Sequence, residues 1–327
     1  MENLARLLPH SDPGRGLTPL SLARRHGNAP LAHWGLPDKY EPYRVVGSGA
    51  LGTVLLARDR SLGRLVAIKV LATDCPEFLA RLRHEARLLA RLEHPSIIRV
   101  HDLDVHDGRL YLAMEYAAGG NLALQRMEPV QLVRALRGVV DALGHAHANG
   151  IVHRDVKPEN LLLGGALRHR GEAGPLRALL TDFGLACGSN EGSASMRRPI
   201  VGTPLTMSPE QVDGRQVGPA SDVFSLGVTF YRQLTGRWPF RGRTVIDVFD
   251  AIRQREPDAF EAGCAPRRLE SIVRKALAKD PGERFGSMDE FGNALDRFLR
   301  SQSLFSIPAQ WLRSNRGQPR IHPEDVR

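Results

Sequence analysis

His153, Arg154, Asp155, Val156, Lys157, Pro158, Glu159 and Asn160 follow one another and place a carboxylate, two cations and a carboxamide in one short stretch. An aspartate and an asparagine five residues apart suit phosphoryl transfer. The carboxylate accepts or orients a hydroxyl proton, and the amide oxygen holds a divalent cation. A second acidic candidate, Asp182, stands before Phe183 and Gly184 and after the apolar Ala178-Leu179-Leu180. Its carboxylate suits magnesium, which takes oxygen ligands, and Gly184 lets the backbone turn. A plain Asp-x-Gly turn is the alternative there.

Two further motifs handle phosphates. Gly47-Ser48-Gly49-Ala50-Leu51-Gly52-Thr53-Val54 offers backbone N–H groups that can approach phosphate oxygens closely. The same spacing occurs in tight turns and dinucleotide sites. Here it joins two strand-like segments and opens no helix, which argues against the dinucleotide reading. Val54 can pack on an adenine ring. Ala67-Ile68-Lys69 puts a lysine on the next strand, either as a snorkelling surface residue or as the partner of a carboxylate. Glu85 is the carboxylate in position to serve, on the inward face of a helical segment with Leu82 and Leu89.

These residues need elements to hold them. Arg44-Val45-Val46, Thr53-Val54-Leu55-Leu56-Ala57 and Leu65-Val66-Ala67-Ile68-Lys69-Val70 read as strands, the last two separated by the turn signal Ser61-Leu62-Gly63. Apolar residues at three- and four-residue steps predict a helix over 77–92. Two more strands are expected at 97–103 and 110–116 around Asp107-Gly108. Ala117-Ala118-Gly119-Gly120 reads as a hinge. Beyond it, helical periodicity marks 132–143, 223–234 with Gly236 past its end, 269–277, and 291–299 with a capping box from Ser287 to Glu290. The resulting organisation is an extension at 1–38, a domain at 39–300 and a tail at 301–327. Within the domain a sheet-rich part (39–116) precedes the hinge (117–120) and a mainly helical part (121–300).

Composition narrows the class. With 42% hydrophobic and 25% charged residues in 327, the chain reads as globular. The net charge of +9 comes from scattered arginines with no long basic run, so a surface suited to anionic nucleotide and acidic partners is favoured over specific nucleic-acid binding. Only five of the 45 cations are lysines, yet Lys69 and Lys157 both fall inside motifs. Cys75, Cys187 and Cys264 are widely spaced, which points to no disulfide framework and to a reducing cytoplasm. No apolar run has the length of a membrane span.

Taken in order, the motifs make residues 43–300 resemble the eukaryotic-like serine/threonine protein kinases, most closely their bacterial branch. The resemblance implies an α+β, bilobal protein-kinase fold: a small antiparallel-sheet N-lobe with one key helix, a larger mainly helical C-lobe, and ATP with Mg2+ (or Mn2+) in the cleft. It implies Asp155 as catalytic base, Lys157 steadying the transferred phosphoryl group, Asn160 and Asp182 as metal ligands, and Lys69 paired with Glu85. Nucleotide contacts fall at Val46, Gly47, Ser48, Gly49, Gly52, Val54, Ala67 and Leu162. Met114 occupies the gatekeeper position, and Glu115 and Tyr116 begin the hinge that reads adenine. His153, Phe183, Leu89 and Val100 match a spine linking the lobes.

Lys157-Pro158-Glu159-Asn160 matches the serine/threonine form of this loop, and Gly202-Thr203-Pro204 matches the segment where a threonine, here Thr203, bonds the catalytic aspartate and lysine. Ser208-Pro209-Glu210 stands where the family has Ala-Pro-Glu, so Glu210 is expected to pair with Arg284, and Asp222 to brace the catalytic loop. Leu205 departs from the usual tyrosine, and 164–177 is longer than the usual hairpin, forming a basic loop with Arg168, His169, Arg170 and Arg177.

Arg154 beside the base marks kinases whose activation loop is ordered by phosphate, through a charge-assisted bond to the added group. Ser193 and Ser195 are the candidate autophosphorylation sites, against a plain polar loop. A transient dimer would serve that reaction. The apolar residues of the tail, Leu304, Phe305, Ile307 and Trp311, read as covering the domain or docking a partner. The expected activity is transfer of the ATP γ-phosphoryl group to protein serines and threonines. A catalytically silent pseudokinase scaffold and a small-molecule phosphotransferase are the alternatives.

Overall fold

Tyr40–Gly49 (β1), Gly52–Asp59 (β2) and Arg64–Leu71 (β3) run antiparallel in sequence, and Arg109–Glu115 (β5) inserts between β3 and Val100–His106 (β4) to give the order β1-β2-β3-β5-β4. The computed structural model describes residues 34–49, 52–71, 92–164, 176–183 and 204–303. They divide into two compact units, one drawn from 34–71 with 99–116, the other from 92–98 with 117–303.

In the sheet unit, side chains two apart share a face. Leu55 and Ala57, Val66, Ile68 and Val70, and Tyr111 and Ala113 make one buried cluster with Tyr40. The register Val54↔Lys69 and Ala67↔Met114 therefore sets Val54, Ala67, Lys69 and Met114 together on the opposite face. The turns are chemically specified. Asp59 Oδ1 accepts from the N–H groups of Ser61 and Leu62, and Gly63 follows at φ 67°. Asp107 (φ 48°) and Gly108 (φ 74°) supply the two left-handed residues of a tight β4–β5 hairpin. The sheet is strongly coiled, because its two edge strands touch. Asp102 Oδ2 on β4 accepts from Tyr40 Oη at the start of β1 (2.9 Å), from Tyr111 Oη (2.9 Å) and from Lys39 Nζ (2.8 Å). Burial would raise the Asp102 carboxyl, but these three donors hold it below its ordinary value.

Ile97 corrects the expected strand at 97–103. The strand starts at Val100, and residues 96–98 belong to the helical unit, where they bond to its strand Arg177–Leu180: Ile98 N–H donates to Leu180 O (2.9 Å) and Leu180 N–H to Ser96 O (2.8 Å). Ile97 and Ile98 are 5% and 7% exposed, so the apolar run that suggested a strand is core of the helical unit.

That unit contains Pro129–Ala148 (α1), the short pair Leu161–Gly164 (β6) and Arg177–Leu180 (β7), Pro209–Val212 (α2), Pro219–Thr235 (α3), Val245–Gln254 (α4), Arg267–Ala276 (α5) and Met288–Ser303 (α6). α3 is buried on almost every side, with Val223, Phe224, Leu226, Val228 and Phe230 all at 1% exposure or less, which makes it the central helix. Gly227 lets α5 approach, since a Cβ there would lie 2.8 Å from Ala276 Cβ. Gly236 at φ 73° ends α3 in the left-handed conformation and donates to Arg232 O.

Two helix details differ from expectation. Ser287 Oγ accepts from Glu290 N–H, but the Glu290 carboxylate reaches back to Gly286 N–H, one residue earlier than a reciprocal box requires. α4 was not expected at all. Its buried stripe is Val248, Ala251 and Ile252, while Ile246 is 70% exposed, and the periodic segment is only ten residues long. The legible signal was its N-terminus, where Thr244 and Asp247 cap each other. Of the helix expected over 77–92, residues 77–91 lie outside the described residues and Leu92 is non-helical; the extension up to residue 33 and the tail beyond 303 also lie outside them.

Candidate active site

The Asp155 stretch is held from beneath by Asp222, in the first turn of α3 and fully buried. Asp222 Oδ2 accepts from His153 N–H (2.8 Å) and pairs with His147 Nε2 (2.8 Å), while Oδ1 accepts from Arg154 N–H (2.8 Å). A buried carboxylate is costly unless so satisfied. These bonds hold Arg154 at φ 67°, a left-handed conformation that costs a non-glycine residue about 1–3 kcal/mol. Gln211 Nε2 secures the residue on its carbonyl side by donating to Arg154 O (2.8 Å). Arg154 Nε is buried with no hydrogen-bond partner among the described residues.

The hydrogen bonds fix the tautomer of His153. Its Nδ1 accepts from Asp155 N–H (3.3 Å), so Nε2 carries the proton and donates to Thr181 O (3.0 Å). Complete burial, outweighing nearby carboxylates, lowers its pKa and keeps it neutral. Its ring packs on Phe183, centroids 4.5 Å apart.

Above this platform, Asp155 Oδ2 receives Lys157 Nζ (2.8 Å) and Asn160 Nδ2 (3.0 Å). Asn160 Nδ2 also donates to Asp155 O (2.8 Å). Both amide hydrogens are thereby spent, which leaves Asn160 Oδ1 as a lone-pair donor. Asp155 Oδ1 accepts no hydrogen bond among the described residues, and the side chain remains 31% exposed. The carboxylate thus has one oxygen engaged and one presented.

Pro158–Asn160 forms a single 3-10 turn that leads into β6. Thr181 N–H donates to Asn160 O (3.0 Å), so the β6–β7 pairing brings Asn160 and Asp182 to the same end of the ribbon. Asp182 adopts φ 57°, an uncommon conformation for a non-glycine residue. An amide oxygen and a carboxylate at one strand end are hard oxygen donors, and this donor set fits a magnesium-like cation. Leu162, at the centre of β6, faces Leu179 in register and bridges to Asn121.

In the sheet unit, the glycine-rich segment is the β1–β2 connection, with Gly47↔Val54, Ser48↔Thr53 and Gly49↔Gly52 in register and a shift between Val45 and Gly47 at Val46. Gly52 sits at φ 142°, and a Cβ there would collide with Val70 O. Lys69 is 7% exposed on the middle strand. Glu115 N–H donates to Arg99 O (2.9 Å), and Tyr116 Oη accepts from Arg44 Nη2 (3.4 Å).

Behind the Asp155 loop, Glu210 and Arg284 form a buried bidentate pair, joined by Ser221 Oγ on Glu210 Oε1 (2.6 Å). His147, Gln211 and Ser221 were not singled out from sequence. Each acts through partners 11 to 75 positions away, and no local motif marks them. Glu85, Leu89, Gly184, Ser193, Ser195 and Thr203 lie outside the described residues. Among the described residues no helix is long and apolar enough to cross a membrane.

Comparison with known proteins agrees with this geometry. Residues 40–294 match the protein kinase domain family model, and the chain belongs to that family. It is 34% identical over 265 residues to the serine/threonine-protein kinase PrkC of Bacillus subtilis, covering 78% of this chain and 40% of the relative. It is 35% identical over 266 residues to PknJ of Mycobacterium tuberculosis (78% and 44%), and 38% identical over 264 residues to Pkn1 of Myxococcus xanthus (77% and 37%), both named serine/threonine-protein kinases. The match thus spans about two fifths of the length of these curated relatives.

Proposed function

We propose that this chain is an ATP-dependent serine/threonine protein kinase that transfers the γ-phosphoryl group of ATP to hydroxyls of protein substrates. The observation that carries this reading is the divided use of the Asp155 carboxylate. Lys157 and Asn160 fix Oδ2, and Oδ1 is left to accept the proton of an incoming alcohol. As the hydroxyl oxygen bonds to the γ-phosphorus and the bond to the β-phosphate oxygen breaks, Lys157 Nζ, anchored beside the base, offsets negative charge on the transferring group. Asn160 Oδ1 and Asp182 would hold the divalent cation, Mg2+ with Mn2+ as substitute, and that cation when bound neutralises phosphate charge. Lys69, paired with Glu85, would hold the α- and β-phosphates, and the face carrying Val54, Ala67 and Met114 would receive adenine, with Glu115 and Tyr116 at its polar edge.

Serine and threonine are preferred over tyrosine on the strength of Lys157-Pro158-Glu159-Asn160, of Gly202-Thr203-Pro204 and of the relatives' names. A scaffold without catalysis would be expected to have lost Lys69, Asp155, Asn160 or Asp182, and all four are present. Arg154, whose Nε has no partner among the described residues, is the proposed receiver of a phosphoryl group on Ser193 or Ser195, added between two transiently paired copies. The cytoplasm, where ATP is abundant and thiols stay reduced, is the proposed location. The test is incubation with ATP·Mg and a generic protein substrate, followed by phosphosite mapping. New phosphate on serine or threonine is expected. Absence of any labelling, with the protein folded, overturns the reading.

A further inference from the structure

Two bonds fix the plane of the peptide that joins Arg154 to Asp155. Its N–H, on Asp155, donates to His153 Nδ1 at 3.3 Å, and its carbonyl, Arg154 O, accepts from Gln211 Nε2 at 2.8 Å. The second bond is the shorter one and comes from outside the turn. A planar peptide moves as one body, so this plane sets ψ of Arg154 and φ of Asp155, and with them the direction in which the Asp155 side chain leaves the backbone. Arg154 itself holds φ 67°, which a non-glycine residue keeps only where its surroundings over-determine it.

The Gln211 carboxamide is used at both ends. Oε1 accepts from Ser208 N–H (3.0 Å) and Ser208 Oγ (3.2 Å), which closes the N-terminus of α2, and Nε2 turns to the Asp155 loop. The four residues of α2 are tied on both sides. Glu210 is bound by Arg284 and Ser221, and past the other end Arg253 on α4 donates to Asp213 Oδ1 (2.6 Å) and Val212 O (3.3 Å). Gln211 therefore reaches Arg154 O from a fixed base. Capping alone does not call for a glutamine, since glutamate serves at that position of a capping box as well. What an ionised glutamate cannot supply is a donor, and Arg154 O takes one.

We propose that Gln211 is a positioning residue for phosphotransfer: through Nε2 it fixes the Arg154–Asp155 peptide and thereby aims the Asp155 carboxylate at the substrate hydroxyl. This rests on the kinase reading above and adds a residue to it. The role acts on geometry and not on binding. Misplacing a reacting group by about 1 Å costs up to about a hundredfold in rate, so loss of the donor falls on kcat and leaves KM for ATP and for protein substrate nearly unchanged.

The experiment compares wild type, Gln211→Glu and Gln211→Met as full chains, with ATP·Mg and a generic protein substrate, from about pH 5.5 to about pH 8, with thermal unfolding of each. Gln211→Glu keeps an oxygen for Ser208 and so keeps the cap, but when ionised it sets oxygen against Arg154 O. At the upper pH its kcat is expected to lie at least about tenfold below wild type, with KM within about threefold. A carboxylate set against a carbonyl oxygen has a raised pKa, and on protonation it gains a hydroxyl donor. The ratio of variant to wild-type kcat is therefore expected to rise at least about threefold by the lower pH. Taking the ratio removes the loss that protonation of Asp155 imposes on both proteins.

Equal kcat for Gln211→Glu and wild type at every pH is the result of capping alone and overturns the proposal. So does a deficit carried in KM, or one that pH leaves unchanged. If Gln211→Glu does not fold, Gln211→Met, uncharged and of similar length, decides: a loss of about tenfold in kcat at unchanged KM supports the role, and wild-type kcat overturns it. An active wild type with indifferent variants overturns this role alone. Wild type that labels no serine or threonine overturns the kinase reading and this role together.

Discussion

Arg284 meets Glu210 through two parallel hydrogen bonds, Nη1 to Oε1 at 2.8 Å and Nη2 to Oε2 at 2.9 Å, with side-chain exposures of 0% and 4%. The remaining Arg284 hydrogens are also used: Nε donates to Ala278 O, Nη1 to Ala220 O and Nη2 to Lys279 O. The guanidinium thus joins α2, the start of α3 and the segment after α5. Desolvation of both ions is offset only because every donor has an acceptor.

Removing one partner leaves the other charge buried and unpaired, at a cost of about 3–5 kcal/mol. Arg284→Leu is expected to lose that much in urea unfolding at pH 7. A loss below about 1 kcal/mol would show that the pair contributes little. The pair also has a pH signature. Burial pushes the Glu210 carboxyl up, but Arg284 and Ser221 outweigh it and hold the pKa at about 2 against an ordinary 4.5. The lowered value means that the stabilisation, about 3 kcal/mol, is complete above pH 4.5 and drains away as pH falls toward 2. Wild type and Glu210→Gln should therefore converge in stability across that window. Parallel curves would contradict the assignment.

Asp222 is a sharper case, because a carboxamide cannot replace it. Asp222→Asn leaves one acceptor oxygen for the donors His153 N–H, Arg154 N–H and His147 Nε2, and turns an NH2 group toward at least one of them. One unsatisfied buried donor costs about 1–3 kcal/mol. The strained φ of Arg154 then loses its restraint, so phosphotransfer should fall further than stability does. Amide hydrogen exchange at Arg154 is the measurement, with faster exchange expected. Unchanged protection would mean that Gln211 alone holds the peptide.

Gly52 tests the sheet unit. At φ 142°, with Val70 O in the path of a Cβ and Leu71 Cα 3.1 Å from it, Gly52→Ala must distort the β2–β3 pairing next to the glycine-rich connection. Substitution at such a position destabilises by more than about 1 kcal/mol. Thermal unfolding should show a lowered midpoint and a smaller upward shift on adding ATP·Mg than wild type shows. A variant as stable and as ATP-responsive as wild type would place no demand on this conformation.

Much of the fold is legible in the sequence alone. Strands with period-two burial and helices with a continuous apolar stripe, such as α1 and α3, stand out because their pattern reflects a face against a core. The mistakes have the same origin. Ile97 and Ile98 are buried where the chain bridges to Leu180 of β7, and no local pattern separates that from a strand. α4 is only ten residues long, so its apolar period repeats too few times to stand out. At the site, Asp155, Lys157 and Asn160 lie within six positions, so their chemistry can be read from spacing. The side chains that orient them cannot. Gln211 reaches Arg154 O across 57 positions and His147 meets Asp222 across 75, and only the folded chain shows that one carboxylate gathers two backbone N–H groups and a histidine.

Asp155→Asn isolates the proposed base. The asparagine oxygen can still accept from Lys157 and Asn160, so the loop keeps its shape, and the side chain is 31% exposed, so losing its charge should move stability by no more than about 1 kcal/mol. The change falls on the other atom. Where Oδ1 offered a lone pair to a substrate hydroxyl, an NH2 group now offers a proton, and the alcohol has no acceptor. Loss of a positioned base costs about 10²–10⁴ in rate. Phosphotransfer is expected to drop by at least the lower figure while ATP·Mg binding by calorimetry stays within about threefold, since the proposed metal ligands Asn160 and Asp182 are untouched. Retention of more than a tenth of the activity would move the base away from Asp155. Loss of nucleotide binding would mean that this side chain organises the metal site and does not act on the hydroxyl alone.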